Sequence, residues 1–273
     1  MKSKLAGALW FCIYAVTASA RGELPLFDTH IHYNRDVWEE YPPAKALQIL
    51  KQAGVQHALV SSTPDDGTLK LYESDPRRVV PFLRPYRTQS DLRTWFKDPA
   101  LLAYVEDRLK RNVYRGIGEF HLFSGEADTP VVRRIAALAV EKNLMLHAHS
   151  DEKVVEELFR QQPAARILWA HAGLTGTPET VGNMLERYPG LWVELSSRGD
   201  IAPDGKLDAD WRGLFLRHPT RFLIGTDTWT ASRWRDLQLI AQATRQWLAE
   251  LPSDVAENIA YKNAEALLLQ PLK

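Results

Sequence analysis

The chain has 273 residues, 45% hydrophobic and 25% charged, which is enough to bury a full-sized core as one domain or two. Lysine plus arginine equals aspartate plus glutamate at 34 each. No basic field exists to hold a polyanion, so a small molecule rather than nucleic acid is the expected partner.

Lys2 and Lys4 precede an apolar run from Leu5 to Val16, followed by Ala18-Ser19-Ala20. That order is the pattern of a cleavable secretory signal peptide, so residues 1–20 read as a leader and 21–273 as the mature chain. The run falls short of the roughly 20 apolar residues a transmembrane anchor requires. The expectation is a periplasmic or secreted protein without a stable membrane anchor. Cys12, the only cysteine, lies inside this leader. The mature chain then has no disulfide and no thiolate, and any metal is restricted to His, Asp and Glu.

Beyond the leader, short apolar runs alternate with longer amphipathic stretches, and no low-complexity linker divides them. The apolar runs are Leu26–His32, Gln56–Ser61, Val79–Pro85, Gly116–Phe120, Leu144–His149, Arg166–Ala170, Leu191–Leu195 and Arg221–Gly225. Helical spacing of apolar residues marks Pro43–Ala53, Asp91–Arg111, Pro130–Lys142, Asp151–Gln161, Pro178–Tyr188 and Asp208–Arg217. Between Thr63 and Arg78 the helix signal is weakest, because Pro64, Gly67 and Pro76 interrupt it. Ser253 to Leu269 reads as an extra C-terminal helix capped by Ser253 or Asp254. Eight strand-then-helix units over roughly 250 residues predict a single-domain α/β fold, a (β/α)8 TIM barrel, with a doubly wound open sheet as the competing topology.

In such a barrel the reacting groups stand at the C-terminal ends of the strands. The first run ends in Asp28-Thr29-His30-Ile31-His32, the fourth in Gly118-Glu119-Phe120-His121, the fifth in His147-Ala148-His149, the sixth in His171 and the eighth in Asp227. Residues two apart on a strand share a face, so His30 and His32 present two imidazoles to one ion. An isolated His-x-His is equally at home as a pair of core histidines. With His147, His171 and Asp227 ending other strands, a metal becomes the cheaper explanation of so many buried ionisable groups.

These same segments, LFDTHIH, GIGEFH, LMLHAH, ILWAHAG, FLIGTD and the closing NIAYKNAEALL, resemble the amidohydrolase superfamily, in particular its amidohydrolase-related and TatD-like hydrolases, from Leu26 to about Leu268. The resemblance implies a divalent metal, zinc by preference and one or two ions, held by His30, His32, His147 and Asp227. His171 is then a further ligand or a polarising group. Glu119 occupies the position where TatD-like relatives carry a carboxylate bridging two metals, which makes it a further ligand by preference, with an ion pair to Arg115 or Arg84 as the alternative.

The implied chemistry is hydrolysis by a metal-activated water, with Asp227 moving the proton and His171 stabilising the oxyanion. His149 shares a strand face with His147 and competes with it for the fifth-strand ligand position, or faces substrate. His121, Arg84, Arg87, Arg198 and Trp229 follow strand ends where a barrel enzyme builds its substrate pocket, and the arginines suggest an anionic substrate. Two alternatives stay open at this level: a non-oxidative decarboxylase on the same barrel, and a non-catalytic periplasmic binding protein.

Overall fold

The computed structural model describes residues 23–270, and the expected leader lies outside them. Eight strands, β1 Leu26–Ile31, β2 Val55–Val60, β3 Val79–Leu83, β4 Gly116–Leu122, β5 Met145–Ser150, β6 Ile167–Trp169, β7 Leu191–Glu194 and β8 Phe222–Leu223, pair in chain order and all in parallel. The sheet curls until its edges meet. The Thr29 amide donates to the Ile224 carbonyl at 3.0 Å, the His32 amide to Thr228 at 2.8 Å, and Ile31 bridges Thr228. The fold is the (β/α)8 barrel, and the open-sheet alternative is excluded by this closure.

One helix follows each strand: α1 Pro43–Gln52, α2 Asp66–Ser74, α3 Pro99–Leu109, α4 Pro130–Glu141, α5 Glu152–Gln161, α6 Pro178–Arg187, α7 Ala209–Arg217 and α8 Ala231–Leu248. Their starts are written into the sequence. Proline opens α1, α3, α4 and α6, where its missing N–H costs nothing. The side chains of Asp98, Thr129, Asp151, Thr177, Asp208 and Thr230 accept the free amides at the heads of α3 to α8. No helix among the described residues is long and apolar enough to cross a membrane.

Two expected elements differ, and the weakest expected helix is present. The helix expected over Asp91–Arg111 is two 3-10 turns, Gln89–Arg93 and Trp95–Lys97, followed by α3, because Pro99 holds Asp98 extended and restarts the helix. The weak stretch before Arg78 does form α2, whose Leu69 and Leu71 are buried. The C-terminal segment is not one capped helix: it starts after Pro252 with no side-chain cap, as α9 Ser253–Glu257, passes through a π-turn at Asn258–Lys262, and ends as α10 Asn263–Leu268. The π-turn has a cause. The Ile259 carbonyl leaves the helix ladder to accept the Ile224 amide at 3.3 Å, and Asn263 Nδ2 donates to the carbonyls of Pro219 and Phe222.

Inside the barrel, Phe27, Leu59, Val80, Phe82, Met145, Leu168 and Leu223 form an apolar plug, which Ala264 and Leu268 of α10 extend beyond the N-terminal ends of the strands. The larger core lies between strands and helices. With the lower half filled, the polar interior is confined to the C-terminal ends.

Asp65, in the loop between β2 and α2, is fully buried, accepts the Tyr114 hydroxyl, lies 3.5 Å from Arg108 Nε, and has a second oxygen with no partner. Burial pushes its pKa up from 3.8 to about 6, against the Tyr114 hydrogen bond and Arg108. Between these pH values the folded chain binds more protons here than the unfolded chain, so stability falls as pH rises through the window. Asp65→Asn is uncharged throughout. Urea unfolding should show the variant gaining on the wild type by about 2 kcal/mol between pH 4 and 6.5; a pH-independent difference would mean that Asp65 stays ionised.

Candidate metal centre

Above the apolar plug, six strands deliver charged or imidazole side chains to one point. Glu119 arrives there by an irregularity: Gly118 pairs with His147 and Phe120 with Ala148, so Glu119 is the extra residue of a bulge in β4. A bulge re-aims the side chain it carries. Its carboxylate stands 3.4 Å from His30 Nε2 and 3.2 Å from His32 Nε2, while 2.8 Å separates it from His149 Nδ1 and 3.4 Å from His171 Nε2. Asp227 Oδ1 completes the group at 3.7 Å from His30 Nε2 and 3.6 Å from His32 Nε2. His171, Ser197 and Asp227, past the ends of β6, β7 and β8, have φ of 56°, 58° and 50°, a region that residues other than glycine occupy at a cost of order 1 kcal/mol. Such strain concentrated at one mouth marks a functional site.

The hydrogen bonds fix which face each imidazole turns to this point. His30 Nδ1–H donates to Glu194 Oε2 at 2.9 Å, His32 Nδ1–H to the Ser61 carbonyl, and His171 Nδ1–H to the Ser196 carbonyl at 3.1 Å. Each therefore turns a lone pair, on Nε2, towards the same space, and His30 Nε2 and His32 Nε2 face each other at 3.2 Å. Three lone pairs and two carboxylates in contact repel one another unless a cation lies among them. The donor set could hold a divalent metal ion, and Glu194, backing His30, would then be the outer carboxylate that orients a ligand. Burial opposes charge on His30, yet Glu119, Glu194 and Asp227 hold its pKa well above the ordinary value, so a proton and a metal ion compete for its Nε2 lone pair. Burial would also raise Glu194, but His30 and its hydrogen bond hold that carboxyl at about 2.

On the fifth strand the structure brings His149, not His147, against Glu119. His147 lies one layer deeper, fully buried, its ring against His30 at 4.6 Å and both ring nitrogens without a hydrogen-bond partner. With His30 and Glu194 it makes a second group of candidate ligand atoms, all within 4.8 Å of one another, so the expected metal role of His147 stays open. Burial and the neighbouring His30 drive its pKa well below the ordinary value, so it stays neutral.

The pocket arginines also sort differently from expectation. Arg84 is buried, with NH2 donating to Glu119 Oε2 at 2.8 Å and Nε to the Glu119 carbonyl at 3.1 Å. Arg84, not Arg115, is therefore the arginine at Glu119. Arg87 is taken by Asp91 and Asp98. Arg198 pairs with Asp200 and donates to the carbonyls of His171, Ala172 and Gly176, so it braces the loop after β6 instead of facing substrate.

A cavity of 290 Å³ opens above the cluster, floored by His32, Glu119, His149, His171 and Asp227. Its walls are Trp229, Leu92, His121, Arg84, Asn34 and Gln89. Glu194, Asn34, Gln89 and Leu92 were not singled out from sequence. Only Glu194 left a trace there, as the single charged residue within the apolar run Leu191–Leu195.

A family model described as amidohydrolase matches residues 93–269, well over half of the chain. The chain belongs to the amidohydrolase family. This amidohydrolase is an enzyme, a metal-dependent hydrolase, and the non-catalytic alternative falls away. Solved structures similar to it include a 2-pyrone-4,6-dicarboxylic acid hydrolase from Pseudomonas putida, 17% identical, TM-score 0.62, covering 92% of this chain and 99% of that one. A TatD homolog from Escherichia coli is 18% identical, TM-score 0.62, covering 92% and 100%. A third, described as a 2-pyrone-4,6-dicarboxylic acid hydrolase from Acinetobacter baumannii with citric acid bound, is 13% identical, TM-score 0.58, covering 90% and 99%. These likenesses are of fold. No curated protein matches the amidohydrolase.

Proposed function

We infer that the amidohydrolase cleaves a small ester, lactone, amide or phosphoester, using zinc held by His30, His32, Glu119, His149, His171 and Asp227. The observation that carries this reading is the convergence of three imidazole lone pairs and two carboxylates on the floor of a cavity open to solvent. A bound divalent cation supplies Lewis acidity to the substrate oxygen and acidity to water. Asp227 Oδ2 accepts the Ser197 hydroxyl at 3.1 Å, which leaves Oδ1 as the basic atom facing the cluster. Oδ1 takes the proton of the attacking water and hands it to the leaving group. Glu194 and Ser196 hold His30 and His171 so that their rings do not turn during the reaction.

Of the three arginines only Arg84 lines the cavity, and although its Nε and NH2 are used on Glu119, its NH1 is left to meet a negative substrate group; the wall formed by Trp229 and Leu92 suits an uncharged portion. The leader expected at 1–20 places the activity in the periplasm or outside the cell. Zinc-loaded protein should turn over a member of an ester, lactone, amide and phosphoester panel, lose that turnover to a chelator and regain it with added zinc. Turnover that ignores the chelator, or carbon dioxide release from an aromatic acid with no hydrolysis, would overturn the reading.

A further inference from the structure

His121 stands at the end of β4 with more support than its packing requires. Its backbone amide donates to the Tyr86 hydroxyl at 2.7 Å, and its carbonyl accepts Trp95 Nε1–H at 2.8 Å. The ring stacks on His149, centroids 4.1 Å apart and planes at 28°, and its Nδ1 lies 3.1 Å from the same Tyr86 oxygen. Two side chains from the segment after β3, one imidazole from β5 and the backbone of β4 therefore all converge on fixing one ring.

The Tyr86 hydroxyl decides that ring's tautomer. Tyr86 is fully buried, and a buried hydroxyl must place its proton on an acceptor. It already accepts the His121 amide, and its other hydrogen-bond partner among the described residues is His121 Nδ1. The hydroxyl donates to Nδ1, so Nδ1 carries the lone pair and Nε2 the hydrogen. Nε2 bonds to no described residue, and His121 lines the cavity. This inverts the pattern of His30, His32 and His171, whose lone pairs are on Nε2.

We propose that His121, locked by Tyr86 as the neutral Nε2–H tautomer, is a substrate-contacting donor that selects substrates with an oxygen acceptor beside the scissile bond. This rests on the hydrolase reading for its substrate but not for its tautomer. An uncharged donor next to Arg84 discriminates by geometry: an acceptor placed to meet Nε2–H is bound, and an analogue lacking it leaves the donor unpaired.

Two measurements test the proposal. Long-range proton–nitrogen correlation spectra of the zinc-loaded, 15N-histidine-labelled protein should show His121 as the Nε2–H form, and Tyr86→Phe should convert it to a mixture. With the panel substrate that wild type cleaves, His121→Ala should lose about tenfold in kcat/KM, carried by KM, while His121→Gln, whose amide N–H can reach the Nε2 position, recovers most of it. An Nδ1–H tautomer in wild type, or an unchanged kcat/KM in His121→Ala, overturns the proposal. Should no panel member be cleaved, the hydrolase reading fails by itself, and the tautomer spectrum with acetate added as an oxygen acceptor decides: a shifted His121 Nε2 proton supports the donor, an unshifted one refutes it.

Discussion

Asp227→Asn should lower kcat by about 10³-fold while the fold is retained. The carboxamide has the same shape, and its Oδ1 can still accept the Ser197 hydroxyl, now 3.1 Å from Asp227 Oδ2, if the amide is turned so that oxygen faces Ser197. Either orientation removes the only carboxylate oxygen that faces His30 and His32 from β8. The other carboxylate against His30 and His32 among the described residues, Glu119, is held by Arg84 and His149, so it is poorly placed to carry the proton in place of Asp227. The amide oxygen remains a weak ligand, so metal content should fall by less than one equivalent. Turnover, metal content by mass spectrometry and the circular dichroism melt separate the possibilities. Full activity would show that Asp227 does not carry the proton, and loss of activity strictly in step with loss of metal would make it a ligand only.

The barrel was legible because its signals are local. Each strand is a short apolar run, α1 begins with a proline and α3 to α8 with a capping Asp or Thr, and none of this depends on distant residues. The clustering of histidines followed from the rule that strand ends share one mouth. Depth was not legible. His147 and His149 have the same parity, and only the bulge at Glu119, which sets the register of β4 on β5, places His149 at the level of the carboxylate and His147 below it. Which arginines are engaged was hidden for a related reason: Arg84 lines the cavity as expected, but Arg87 and Arg198 are paired with Asp91, Asp98 and Asp200, acids in loops whose course the periodicity does not encode. Glu194 was visible only as a charge in an apolar run, a signal that marks a buried acid without naming the histidine that buries it.

The number of metals turns on Glu119, and its variants should give the second large effect. Oε1 faces His149, His171 and His30, whereas Oε2 faces His32, so one carboxylate touches imidazoles from β1, β5 and β6. A carboxylate in contact with all of these could bridge two metals, with His30, His32 and Asp227 holding one and His149 and His171 the other. Arg84 also donates to Oε2, but a carboxylate oxygen has two lone pairs and can serve both. Wild type should therefore carry two equivalents of zinc, and Glu119→Gln or His149→Ala should carry one, with turnover down at least about 10²-fold. His147→Ala should keep both equivalents, since its ring lies below the cluster against Phe82 and His30. Glu119→Gln also strands the buried Arg84 charge, so it should unfold about 3 kcal/mol more easily even when stripped of metal, an effect His149→Ala lacks. Metal analysis and urea unfolding of chelator-treated protein distinguish bridging from ion pairing. One equivalent in wild type, unaltered in both variants, would leave Glu119 as the partner of Arg84 alone and free His171 to polarise the substrate.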